Sequence, residues 1–349
     1  MLTEINYLPE GLLQRQAHEL NSILHGPTLI HLQGRLTQPL FVSVLVHGNE
    51  TVGWDAMRQV LARYSVAGGE AQLPRSLSLF IANPAAASLG VRHLPEQPDY
   101  NRVWPGCEKT SNASTEFADE RALMQLVVDK MAALDLFAAV DLHNNTGLNP
   151  HYACINRLDS SFLHLATLFS RTVVYFVNPC QVASMAMARL CPSVTLECGK
   201  VGSQQGVQHA AEFVDACLHL QALPDHEVAR QDYDLFHTVA IVKIPQDVGF
   251  EFYDEETFVE ATLNLPADIE YMNFRELPAG TEIARLGQHT QKPPLDVYAE
   301  DGELVTDRYF RVVNQRLLLN ACVMPSMLTT NNEVIRQDCL CYLMERYPF

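Results

Sequence analysis

Four polar clusters in this chain end, interrupt or follow apolar runs, and between them they carry the groups needed to activate a water molecule. The first lies in FVSVLVHGNETVGWDAM, residues 41–57, where a strand-like segment is followed at once by His47, Gly48, Asn49 and Glu50. A tight turn can aim an imidazole and a carboxylate at one point, with glycine relieving backbone crowding. Taken alone, H-x-x-E fits either a metal site or a solvated turn.

The second cluster ends LFAAVDLHNNTG, residues 136–147. Asp141 and His143 are two apart, so on a strand they share a face. Asp141 either orients an imidazole through its far ring nitrogen or caps the following loop. Two histidines and one carboxylate, with a fourth position left for water, form the donor set of a catalytic rather than a structural zinc site.

In the third, PSVTLECGKVG (192–202), Glu197 interrupts an apolar strand. A carboxylate is costly there unless partnered. It is either half of an ion pair with an arginine or a general base beside metal-bound water. The fourth is the proline-rich loop GVRHLPEQPDYNRVWPG (90–106), with Arg92, Asn101 and Arg102. These arginines either meet solvent or bind an anion, and a guanidinium grips a carboxylate with two hydrogen bonds.

The elements that must position these residues alternate along the first two-thirds of the chain. Strands are expected at 28–32, 41–46, 76–82, 137–143, 173–176 and 193–198, and helices at 52–65, 117–134, 160–170 and 206–220. Short apolar strands alternating with helices predict an α/β domain with its sheet covered on both faces. Ligands gather beyond the carboxyl ends of such strands, which is where His47 falls. The polar stretch 221–234 reads as a linker between a catalytic domain, 1–222, and a smaller β-rich C-terminal domain, 232–349. There, short strands are separated by Pro, Gly and Asp turns, and ELPAGTEIARLG (276–287) reads as a hairpin at a sheet edge.

A chain of 349 residues suits two domains, and its formal charge of −17 argues against nucleic acid. An anionic substrate would need local arginines to offset that field. No apolar run is long enough to span a bilayer, and the N-terminus lacks the pattern of a secretory leader, so a soluble cytoplasmic protein is expected. The nine cysteines include no CxxC pair. Several, such as Cys154, Cys217 and Cys322, lie in apolar runs, which predicts reduced, mostly buried thiols and no disulfide framework.

HGNE at 47–50, NR at 101–102, DLH at 141–143 and Glu197 in TLECG occur in the order and at the spacing of the succinylglutamate desuccinylase/aspartoacylase family, a branch of the zinc carboxypeptidase-like superfamily. The chain resembles that family over roughly residues 40–215. The resemblance implies one Zn2+ per chain held by His47, Glu50 and His143, with Glu197 as general base and then acid. It further implies that Asn101 and Arg102 hold a substrate carboxylate and that Arg92 faces the oxyanion. Arg189 is the nearest arginine for a second carboxylate, and Tyr298 of the C-terminal domain is the candidate to complete the pocket. The implied reaction is hydrolysis of the amide bond of a small anionic N-acyl amino acid.

Two stretches depart from the desuccinylase pattern. TVGWDAM follows HGNE, and NNTG after DLH lacks a basic residue and looks more like the aspartoacylase side. One rival reading is a metallocarboxypeptidase trimming peptide C-termini. Another is a non-catalytic binding protein on the same fold. A homo-oligomer is compatible with the sequence.

Overall fold

A computed structural model describes residues 1–64, 72–107, 116–254 and 261–348. The chain divides into two compact units, residues 1–144 with 151–234, and residues 145–150 with 235–349.

The first unit is built on strands β1 (Thr3–Ile5), β2 (Thr28–Leu32), β3 (Gly34–Val44), β4 (Leu73–Ile81), β5 (Ala138–Asn145), β6 (Tyr152–Ile155), β7 (Thr172–Tyr175) and β8 (Ser193–Lys200). Their order across the sheet is β1-β2-β4-β3-β5-β8-β6-β7. Pairing is mixed. β3 runs parallel to β4 and β5, whereas β2 is antiparallel to β4 and β6 to β8. Helices α1 (Asn21–Leu24), α2 (Val52–Tyr64), α3 (Pro84–Leu89), α4 (Ala118–Ala132), α5 (Ser160–Thr167), α6 (Ala183–Met187) and α7 (Gln204–His219) accompany the sheet. The expected mixed α/β architecture is therefore present.

Boundaries moved where backbone geometry overrode hydrophobicity. The strand expected to reach Val46 stops at Val44, because Leu45 is fully buried in a left-handed conformation, φ 53°. Such a φ costs a non-glycine residue roughly 1–2 kcal/mol, so surrounding contacts must hold it. Asn83 N–H donates to the Leu45 carbonyl at 3.0 Å and does part of this. Phe117 also has positive φ and lies outside the helix expected to begin there. Ser65, the expected last residue of the α2 segment, lies outside the described residues.

Arg75 is fully buried on β4. Its guanidinium donates to the carbonyls of Gln38 (2.7 Å) and Leu220 (2.6 Å), and its Cζ lies 3.7 Å from the Phe137 ring centroid. It thus joins β3 to the chain leaving α7. Because substitution removes two hydrogen bonds from a charged donor, each worth about 1.5–3 kcal/mol, Arg75→Ala should cost about 3 kcal/mol or more. A urea midpoint unchanged from wild type would show that those carbonyls find other donors.

The second unit contains β9 (Asp234–Lys243), β10 (Phe250–Tyr253), β11 (Leu263–Pro266), β12 (Glu282–Leu286), β13 (Asp296–Ala299), β14 (Phe310–Val313), β15 (Arg316–Leu319), β16 (Met324–Ser326) and β17 (Cys341–Arg346). Two short helices, α8 (Thr306–Tyr309) and α9 (Asn332–Gln337), accompany them among the described residues. One set of strands runs β13-β9-β17-β16 and a second sheet runs β10-β11-β12-β15-β14. A core including Val242, Leu263, Val297, Leu317 and Leu343 fills the unit. Segment 145–150 belongs here because Asn149 Oδ1 accepts from Met327 N–H at 3.0 Å. The expected edge hairpin at 276–287 is corrected. β12 is interior, antiparallel to β11 on one side and β15 on the other. Its partners are non-local, so the turn residues before it do not pair the segment with itself.

The cysteine expectation is corrected in two places. Cys107 and Cys180 form a disulfide, 73 residues apart in sequence. The loops bearing them are also joined by Trp104 N–H on the Gln181 carbonyl, a proximity that spacing could not reveal. Cys322, although in an apolar run, is exposed. The other free cysteines are buried. Burial pushes Cys191, Cys217 and Cys341 up to about 12, which keeps them unreactive.

Candidate metal centre

The left-handed Leu45 ends β3 and turns the chain so that His47 to Glu50 form a tight bend, closed by Glu50 N–H on the His47 carbonyl at 3.1 Å. Gly48 is required by close approach, because a Cβ there would come within 2.4 Å of the α3 backbone at Ala86 and Ala87. α3 itself is fixed by Asn83, whose Oδ1 accepts from Ala86 N–H, and by Pro84 in its first turn. Since β5 lies between β3 and β8 in the sheet, His143 and Glu197 arrive on the two strands next in order.

His47, Glu50 and His143 are all buried, and one donor atom from each lies within 4.8 Å of the others. Glu50 bridges the two rings. Its Oε1 is 2.8 Å from His47 Nδ1 and its Oε2 is 2.8 Å from His143 Nδ1. The outer ring nitrogens also face carboxylates, His47 Nε2 on Asp99 at 3.0 Å and His143 Nε2 on Asp141 at 2.8 Å. Both nitrogens of each ring face a carboxylate; because both Nδ1 atoms converge with Glu50, Nδ1 is the nitrogen a bound cation would meet, and Nε2 would then keep its proton for Asp99 or Asp141. Ser43 Oγ donates to Asp141 at 2.6 Å and secures it in turn. Two imidazole nitrogens, a carboxylate oxygen and outer-shell carboxylates match a divalent cation such as Zn2+.

The electrostatics follow from this packing. Burial would raise the Glu50 carboxyl, but the two histidines outweigh it and hold the group far below the usual carboxylate range. Burial likewise opposes the Asp99 carboxylate, yet His47 and Arg92 keep its pKa well below normal. For His143, burial is overcome by Asp141 and Glu50, which raise it well above an ordinary histidine. His47 is raised as well, because Glu50 and Asp99 outweigh burial and the Arg92 charge. The alternatives left open for Asp141 resolve toward orienting an imidazole. Asp141→Asn should weaken metal affinity about 10–100-fold, as measured by chelator competition, while unchanged affinity would make Asp141 irrelevant to the site.

Asp99 is a residue the motif reading passed over. It caps the turn Tyr100–Arg102 by accepting from Asn101 N–H at 2.7 Å, and it also receives His47 and the Arg92 guanidinium, whose Nη2 is 2.8 Å away. Only its place before the NR pair, in an N-capping context, hinted at this. Arg92 Nη1 stands 3.8 Å from Glu50 Oε1, and the Arg92 carbonyl accepts from Gly48 N–H. Asn101 is buried, its Oδ1 accepting from Ala183 N–H at 3.1 Å. Arg102 Nη1 donates to the Asn101 carbonyl at 2.9 Å.

Glu197 is buried on β8 opposite Tyr152 of β6. Burial first, and then its charge, push the thiols of Cys154 and Cys198 well above normal. Arg189 is exposed, and its guanidinium binds the Gly106 carbonyl. None of its described contacts reaches the His47 cluster. Tyr298 belongs to the second unit, on β13, where its hydroxyl donates to Asp296 at 3.4 Å.

A family profile described as the succinylglutamate desuccinylase/aspartoacylase catalytic domain matches residues 37–221. The chain therefore belongs to this family of deacylases and is an enzyme of that class. No curated protein matches it. Among solved structures it is similar to the succinylglutamate desuccinylase of Chromobacterium violaceum, with 17% identity, 89% of this chain and 85% of the other covered, and a TM-score of 0.55. It is also similar to the succinylglutamate desuccinylase/aspartoacylase of Rhodobacter sphaeroides, with 14% identity, 92% and 89% coverage, and a TM-score of 0.56. Murine aminoacylase 3 matches with 16% identity, 90% and 95% coverage, and a TM-score of 0.54. At these identities the likeness is one of fold. Among the described residues no helix is long and apolar enough to cross a membrane.

Proposed function

We propose that this protein hydrolyses the amide bond of a small, anionic N-acyl amino acid with one zinc ion per chain. The observation that carries the reading is the buried His47–Glu50–His143 donor set, each imidazole backed by a carboxylate. In this reading His47 Nδ1, Glu50 and His143 Nδ1 hold the ion. Bound there, zinc would supply Lewis acidity toward the acyl carbonyl and lower the pKa of a coordinated water.

The remaining work falls to the chain's own residues. Glu197 takes a proton at its carboxylate and returns it to the leaving amine. Arg92, held by Asp99 and 3.8 Å from Glu50, places positive charge where an oxyanion develops. Asn101, with its Oδ1 committed to Ala183, offers its Nδ2 to a substrate carboxylate beside Arg102. These cations offset the −17 net charge locally for an anionic substrate. Arg189 is the candidate for a second substrate carboxylate.

The test is amine release from a panel of N-acyl amino acids and short peptides, with and without chelator. Chelator-sensitive release from an acidic N-acyl amino acid supports the reading. Release only from peptide C-termini would replace it with a carboxypeptidase.

A further inference from the structure

We infer that Asn144 is a positioning residue that holds the end of the Glu197 strand in register with the metal-ligand turn. The inference rests on the deacylase reading for its kinetic consequence, but the contacts behind it do not.

On β5 the side chains alternate, so Asp141 and His143 serve the cluster while Leu142 and Asn144 face the opposite side. Leu142 packs beneath Gly53 of α2, where an added Cβ would meet it at 2.9 Å. Asn144 is 3% exposed, and its bonds reach three other segments. Its backbone N–H donates to Glu50 Oε2 at 3.1 Å. Its Oδ1 accepts from Val52 N–H at 3.0 Å, at the start of α2. Its Nδ2 donates to the Gly199 carbonyl at 2.8 Å. One partner is a donor and the other an acceptor, so the amide has a single orientation and neither aspartate nor leucine reproduces it.

The Gly199 peptide is shaped to receive that bond. Gly199 has φ +79°, and a Cβ there would lie 2.8 Å from His151 Nε2. One residue back, the Cys198 carbonyl lies so close to α7 that a Cβ at Gly206 would sit 2.1 Å from it. The strand end just beyond Glu197 is therefore held by Asn144 on one side and backed by His151 and α7 on the others. Asn144 ties this strand end to Glu50, so displacing it moves the base relative to the ligands. Misplacement by about 1 Å costs on the order of 10²-fold in rate.

Asn144→Ala keeps the backbone bond to Glu50 and removes both side-chain bonds. It should retain one equivalent of zinc and lose about 10²-fold in kcat, with KM changed by less than about threefold. A readout independent of substrate is alkylation of Cys198, which is fully buried beside Gly199, compared with the equally buried Cys217 on α7. Loss of the latch should speed Cys198 labelling, followed by peptide mass spectrometry, by about tenfold or more through local opening while leaving Cys217 unchanged. Gly199→Ala, which disturbs the same peptide from the His151 side, should give the same pattern and serves if Asn144→Ala does not fold. Wild-type kcat with unchanged Cys198 labelling overturns the assignment, as does equal acceleration at Cys198 and Cys217, which would mean general loosening. Selective Cys198 exposure in a protein whose wild type releases no amine from any N-acyl amino acid would leave the latch standing and remove the deacylase reading.

Discussion

Glu197→Gln should retain a full equivalent of zinc and lose about 10²–10⁴-fold in turnover, the range for removing a positioned general base. The side chain is buried on β8 and is not one of the three donors clustered at His47, Glu50 and His143. Glutamine keeps its size and can still hydrogen-bond, but it cannot accept and return a proton at neutral pH. Metal analysis and kcat measured on one preparation separate the two effects. A near-wild-type rate would remove Glu197 from the chemistry, and lost zinc would make it a ligand instead.

His143→Ala should lose both metal and activity. It removes one of two imidazole donors and leaves Glu50 and Asp141, both buried, without the ring that stands between them. Breaking such a buried, charge-coupled arrangement typically costs about 3–5 kcal/mol, so a lower melting temperature is expected as well. A folded variant carrying one zinc per chain would overturn the ligand assignment.

The His47, Glu50 and His143 cluster was legible in the sequence because each is a polar residue ending an apolar run. The polar character that makes them costly in a core is also what makes them visible. Asp99 was not legible. It is one carboxylate in a loop rich in proline and charge, and its importance comes from a fold that brings His47 to it from another element while Arg92 folds back on it within the loop. Asn144 escaped for the same reason, since its partners Val52 and Gly199 lie on other elements.

The alternation of strands and helices predicted the α/β unit, and short strand-like runs separated by Pro, Gly and Asp turns predicted the β content of the last third. Where the pattern misled, non-local geometry decided. Leu45 leaves β3 because its backbone turns left-handed, β12 is interior because β11 and β15 flank it, and Cys107 meets Cys180 across two loops.

The most direct test of the account is to strip the protein with chelator and return zinc in measured steps while following amine release from an acidic N-acyl amino acid. Activity should climb linearly and break at one equivalent per chain, with no such rise in His143→Ala. Full activity in the stripped protein, before any zinc is returned, would contradict the account.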